Sequence, residues 1–176
     1  DEILKRMGRR TSKEQLTRIM GKLREEMPDI VLRTTLITGF PGETKEQHEE
    51  LLQFVDDMEF DRLGGFTYSP EEDTPAADMP GQLEEEVKKE RQAELMELQQ
   101  EIVFEQAEDR KGEELLVMIE GRIAGEEAYV GRTYMDAPGV DGLIFVNTDK
   151  ELMSGDFARV KVTGALEYDL IGELVE

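Results

Sequence analysis

Leu36-Ile37-Thr38-Gly39-Phe40-Pro41-Gly42-Glu43-Thr44 carries three local signals in succession. An apolar, β-branched run over residues 31–38 stops at Gly39 and turns through Pro41-Gly42. A helical pattern then resumes at Thr44, where Thr44-Lys45-Glu46-Gln47 forms a capping box. The stretch spells strand, tight turn, helix. Glycine at 39 and 42 permits positive φ and lets the backbone come close to a bound molecule, while Pro41 fixes one φ and stiffens the turn. Ligands of α/β sheets sit at this end of the strands, so the turn is the expected ligand site.

Working outward, Thr11-Ser12 offers an N-cap with Glu14 and Gln15 behind it. Leu16, Ile19, Met20, Leu23 and Met27 then fall on one helical face that ends before Pro28. On the other side, residues 45–58 place His48, Leu51, Leu52, Val55 and Met58 on one stripe, so the single histidine is expected to pack rather than to ligate or catalyse. A second strand is expected over residues 62–68. Two such steps predict a parallel sheet with helices on its outside. Two strands cannot close a sheet of that kind, so either the chain dimerises or it is a piece of a longer protein whose N-terminal part supplies the others, and the second is expected.

Residues 69–80 hold three of the six prolines and read as an ordered loop. From Leu83 no helix breaker occurs until Gly112, which predicts one helix of about 28 residues, on the order of 40 Å long. Leu83, Val87, Leu95, Leu98 and Ile102 give it an apolar stripe, and its charged side is expected to be solvated. Beyond Gly112 the period falls to two, with runs at residues 115–122, 128–133, 143–146, 157–163 and 169–174 separated by Gly-, Asp- and Asn-rich turns. Five short strands of this kind predict a small Greek-key, OB-like barrel. The expected organisation is an α/β part over residues 1–80, a connecting helix over 81–111 and an all-β barrel over 112–176.

Composition narrows the chemistry. The chain has 176 residues and no cysteine, which excludes disulfides, thiolate catalysis and cysteine-ligated metal within it. No apolar run approaches the length of a membrane span and the first residues lack a signal-peptide core, so a cytoplasmic protein is expected. The net charge is −21, which repels nucleic acid and favours basic partners. Residues 112–176 alone hold five basic and fourteen acidic residues, a net charge of −9, whereas residues 1–24 are locally basic.

Three groups of residues carry a family likeness. Thr35-Leu36-Ile37-Thr38-Gly39-Phe40-Pro41-Gly42-Glu43-Thr44, then Phe66-Thr67-Tyr68-Ser69 with Thr74-Pro75-Ala76, then the long helix and small barrel resemble the C-terminal half of the methylthiotransferases. These are radical S-adenosylmethionine enzymes with a partial TIM-like barrel and a terminal TRAM domain. Glu71-Glu72 after Tyr68-Ser69, Gly131-Arg132, Asp136-Ala137-Pro138 and Val140-Asp141-Gly142 are similar to the RimO branch, which methylthiolates an aspartate of protein twelve of the small ribosomal subunit. The chain departs from the family at Thr35 and Asp73, where glycine is common.

The resemblance implies that Ile37, Gly39, Phe40, Pro41, Gly42 and Tyr68 border S-adenosylmethionine. It implies that the parent enzyme uses two four-iron four-sulfur clusters, whose cysteine ligands this chain lacks, so the chain by itself is expected to be inactive. In the family, S-adenosylmethionine is reduced to a radical that takes hydrogen from the substrate carbon before the methylthio group is attached. Glu71, Glu72, Asp136 and Asp141 are the candidate contacts to a basic ribosomal protein, because carboxylates steer such a partner and disfavour a phosphate backbone. Two other readings stay open: a tRNA-modifying, MiaB-like methylthiotransferase, and a non-catalytic acidic adaptor for a basic protein.

Overall fold

A computed structural model describes residues 1–175. The chain divides into two compact units, residues 1–102 and 103–176, and each is taken by itself.

In the first unit, α1 (Glu2–Arg6) is a single short turn of helix, and α2 (Lys13–Glu26) begins at the Ser12 cap, whose hydroxyl accepts the Gln15 N–H while the Gln15 side chain returns to Ser12. Strand β1 (Arg33–Thr38) leads through the Gly39–Gly42 turn to α3 (Lys45–Met58), capped by Thr44 and Gln47 in the same reciprocal manner. Both capping boxes are where the sequence puts them. Strand β2 (Arg62–Thr67) lies parallel to β1, with Arg33 opposite Arg62 and Thr38 opposite Thr67. These two strands form a sheet of their own.

Parallel register sorts the side chains by parity. Leu36 and Leu63 pack on Val55 of α3 and on Leu95 and Ile102 of helix α4 (Glu85–Asp109), while Leu16, Met20 and Leu23 of α2 pack on a second cluster of Leu32, Phe54 and Phe60. The opposite face carries Thr35 and Ile37 on β1 and Phe66 on β2, and these three are exposed. The strands are thus covered by helices on one side only.

The expected solvation of the charged side of α4 is corrected here. Leu95 and Ile102 are buried as the apolar stripe requires, but Lys88 and Gln99 are buried with them, and Arg91 and Gln92 are half-buried. Each of these four polar side chains donates to a backbone carbonyl: Lys88 to Tyr68, Arg91 to Glu43, Gln92 to Gly65 and Gln99 to Phe60. Carbonyls covered by a helix must find donors, and α4 supplies them from side chains on the same face as Leu95. A hydrophobicity count sees only polarity at these positions.

The second unit is a closed barrel in the order β3-β4-β5-β7-β6. Its strands are β3 (Glu114–Arg122), β4 (Ala128–Arg132), β5 (Ile144–Asn147), β6 (Phe157–Leu166) and β7 (Asp169–Leu174). All neighbours are antiparallel except β5 and β7. That order and single parallel pair are those of an OB-like Greek key, as expected. Val117, Ile119, Ile144, Val146, Val160 and Val162 alternate inward as its core. Gly131 and Gly172 let the wall close, since a Cβ on either would lie 2.5 Å from the Cγ1 of Val117 or Val160.

Candidate functional site

The turn after β1 is a packed structure. Gly39 and Gly42 both have positive φ, +72° and +74°, a conformation that costs an L residue about 1–2 kcal/mol. Phe40 and Pro41 between them are buried, and Phe40 meets the ring of Tyr68 edge-on with centroids 5.3 Å apart. The Tyr68 N–H donates to the Thr38 carbonyl, which fixes the start of the loop after β2 against the end of β1.

The glycines also make room for side chains of this chain. A Cβ on Gly39 would lie 2.5 Å from Lys88 Cγ, and one on Gly42 would lie 2.3 Å from an Arg6 guanidinium nitrogen. The room that glycine leaves is filled by this chain's own side chains. Gly42 N–H also donates to Gly81 O at 2.7 Å, so the proline-rich loop is tied to the turn, as an ordered loop should be.

Glu43, which sequence reasoning passed over, is the electrostatic centre of this arrangement. Its carboxylate is buried and accepts from the Gly39 N–H at 3.0 Å and from Arg91 Nη1 at 2.6 Å, while the same Arg91 nitrogen reaches the Glu43 carbonyl at 3.0 Å. Lys88 Nζ lies 3.1 Å from the Tyr68 carbonyl, 2.6 Å from Glu85 Oε1 and 5.5 Å from the centre of the Tyr68 ring. The Lys88 backbone carbonyl accepts in turn from the Thr38 hydroxyl. The signal available in the sequence was position: Lys88 and Arg91 precede Leu95 by seven and four residues, which puts them on its face.

Of the six residues expected at the cofactor, Gly39, Phe40, Pro41, Gly42 and Tyr68 are therefore brought together, and Phe40, Pro41 and Tyr68 are buried. Ile37 stands on the open face of the sheet, 40% exposed, in register beside Phe66, which is 58% exposed and was not singled out. Among the described residues the buried Tyr68 hydroxyl has no hydrogen-bond partner. His48 packs as expected, at 3% exposure, and its Nε2 meets Glu94 Oε2 at 2.8 Å.

The acidic candidates divide. Glu71 and Glu72 are exposed in the loop after β2, where the Glu71 carbonyl accepts the Thr74 hydroxyl. Asp136 and Asp141, in the barrel unit, make hydrogen bonds within their own loop. Asp136 is buried and accepts from the Thr133 hydroxyl at 2.6 Å and the Thr133 N–H at 3.3 Å, and Asp141 accepts from the Ala137 N–H at 2.7 Å. Short polar side chains that bond backbone two to four residues away fold loops.

Comparison with known proteins follows the same division. Residues 112–175 match the TRAM domain family. Over 98% of its length the chain is 62% identical to a protein of Lachnoclostridium phytofermentans named ribosomal protein uS12 methylthiotransferase RimO, of which it covers 39%. It is 51% identical to the protein of that name from Pelotomaculum thermopropionicum and 48% identical to the one from a Thermoanaerobacter species, covering 40% and 39% of them. The chain thus spans about two fifths of the length of the curated relatives it matches.

Proposed function

Since the chain belongs to the RimO-type methylthiotransferases, we propose that it forms the cofactor-flanking and TRAM portion of an enzyme that methylthiolates ribosomal protein uS12. The target atom in this reading is the β-carbon of an aspartate, and the enzyme works in the cytoplasm. Its single strongest support is identity of 62% across nearly the whole chain to a protein bearing that name. No helix among the described residues is long and apolar enough to cross a membrane.

S-adenosylmethionine would sit on the Ile37 side of the turn and supply the radical that activates the substrate carbon. The fit rests on chemistry present in the chain. Ile37 and Phe66 offer adjacent apolar surface to an adenine ring, and the buried Tyr68 hydroxyl is a donor without a protein acceptor. Gly39, Phe40, Pro41 and Gly42 act as a stiff rim, held by Glu43 from within. The chain contains no cysteine, so its own residues do not fit a four-iron four-sulfur cluster, and any cluster must be held by another part of the enzyme. By itself the chain is expected to be inactive.

The partner is a basic ribosomal protein. Glu71 and Glu72 are exposed and stand one short loop from Tyr68, so they are the carboxylates best placed to meet cationic side chains. The barrel adds a net −9, which disfavours direct binding of tRNA. The test is mass spectrometry of uS12 and of bulk tRNA from cells that lack the corresponding gene. Loss of the methylthio group from uS12 alone is expected. Loss from tRNA with uS12 unchanged would assign the MiaB-like substrate instead, and loss from neither would favour an adaptor.

A further inference from the structure

Resting on the reading that the turn borders S-adenosylmethionine, we propose that Arg91 and Lys88 of α4 are positioning residues that set the ligand-binding geometry of the Gly39–Gly42 turn and of Tyr68. Neither belongs to the strand-turn-helix motif, and both lie more than forty residues beyond it in sequence. Burial alone needs neither charge. A leucine or methionine at position 88 would fill the same space more cheaply than an ammonium group, which must be taken out of water. What the charges add is orientation.

Arg91 holds Glu43 through both its carboxylate and its carbonyl, at 2.6 and 3.0 Å. The carboxylate so fixed accepts from the Gly39 N–H at 3.0 Å, which aims that peptide inward. A rotation of the Gly39 peptide would leave a buried carboxylate short of a donor, so the turn is held in one conformation. Lys88 performs the parallel task at the other strand. Its stem fills the space against Gly39, and its ammonium takes the Tyr68 carbonyl, tying the residue that closes β2 to the residue that closes β1. The two strand ends that the ligand would bridge are thereby locked together by one helix face.

The arrangement also explains why Glu43 is buried beside a glycine turn that could have been closed by backbone hydrogen bonds alone. An ion pair with side chains only 12% and 4% exposed costs desolvation, and it is retained where it specifies geometry rather than where it adds stability. Placing these groups on α4 makes that helix a determinant of cofactor affinity.

The experiment uses the full-length enzyme with S-adenosylhomocysteine as probe, measuring its Kd and the amide exchange of Gly39 and Gly42. The variants are Arg91→Met, Arg91→Lys and Lys88→Met, with Glu97→Gln on the exposed side of α4 as control. In the wild type the probe should protect both glycine amides. Arg91→Met and Lys88→Met should raise Kd about tenfold, the scale found when an indirect support of a ligand group is removed. Arg91→Met should also speed Gly39 exchange in the free enzyme. Arg91→Lys, which keeps one donor to the carboxylate, should recover part of the affinity, and it carries the test if Arg91→Met does not fold. Failure of the probe to protect the glycines in the wild type would overturn the cofactor reading. Protection in the wild type with unchanged Kd in the Arg91 and Lys88 variants would overturn this inference alone.

Discussion

Replacing Gly39 by alanine perturbs two things whose sizes can be separated. The first is backbone: at φ +72° an L residue costs about 1–2 kcal/mol. The second is collision, because the new methyl would lie 2.5 Å from Lys88 Cγ and 3.0 Å from Lys88 Cβ. Lys88 is 2% exposed and cannot swing into solvent without giving up its bond to the Tyr68 carbonyl, a charge-assisted contact of about 1.5–3 kcal/mol. The expected loss is therefore about 2.5–5 kcal/mol in the α/β unit. Lys88→Ala removes the 2.5 Å collision with Cγ and leaves the 3.0 Å approach to Cβ, so Gly39→Ala in that background should cost little more than the backbone part, about 1–2 kcal/mol. The assay is a double-mutant cycle by urea unfolding, followed through helical circular dichroism with barrel amides as an internal reference. A coupling of about 1.5 kcal/mol or more is expected. Strict additivity of the two substitutions would refute the packing account of Gly39.

Three further outcomes follow from the same contacts. Glu43→Ala should destabilise the α/β unit by about 3–5 kcal/mol because it leaves Arg91 buried without its carboxylate, and hydrogen exchange should localise the loss to residues 39–44 while the barrel is untouched. Asp136→Ala should cost about 1–3 kcal/mol by stranding the Thr133 hydroxyl, and it should loosen residues 133–141 in amide exchange. Glu46, in the first turn of α3, has its carboxyl held below the usual range, chiefly by a backbone hydrogen bond and then by the Thr44 hydroxyl. Its folded value is the lower one, so its contribution is present above the unfolded value and fades as pH falls through the folded one. A carboxyl NMR titration should find Glu46 among the last glutamates to protonate.

How far the sequence could be read depended on which force wrote each feature. The capping boxes at Ser12 and Thr44, the α3 stripe and the parallel pair β1–β2 were legible because each is a local pattern. The barrel was legible as five runs of period two, although its closure through the parallel contact of β5 and β7 joins strands far apart in sequence. The site was legible only in outline. Gly39 and Gly42 were found by their chemistry, but their neighbours, Lys88 and Arg6, are tertiary facts. Arg91 and Lys88 were hidden because a charged residue in a helix ordinarily signals solvent, and Glu43 because a carboxylate beside a turn ordinarily does too; here three polar contacts override that rule. The local bonds that Asp136 and Asp141 make to Thr133 and Ala137 were not legible either, because they depend on how the loop that contains them folds.

The most direct test is whether S-adenosylmethionine meets this chain where the turn and the open sheet face adjoin. In the full-length enzyme, hydrogen exchange and photo-crosslinking with an adenine-modified S-adenosylhomocysteine should map to Ile37, Phe66 and residues 39–42. A probe that binds tightly while leaving those residues unlabelled and unprotected would contradict the account.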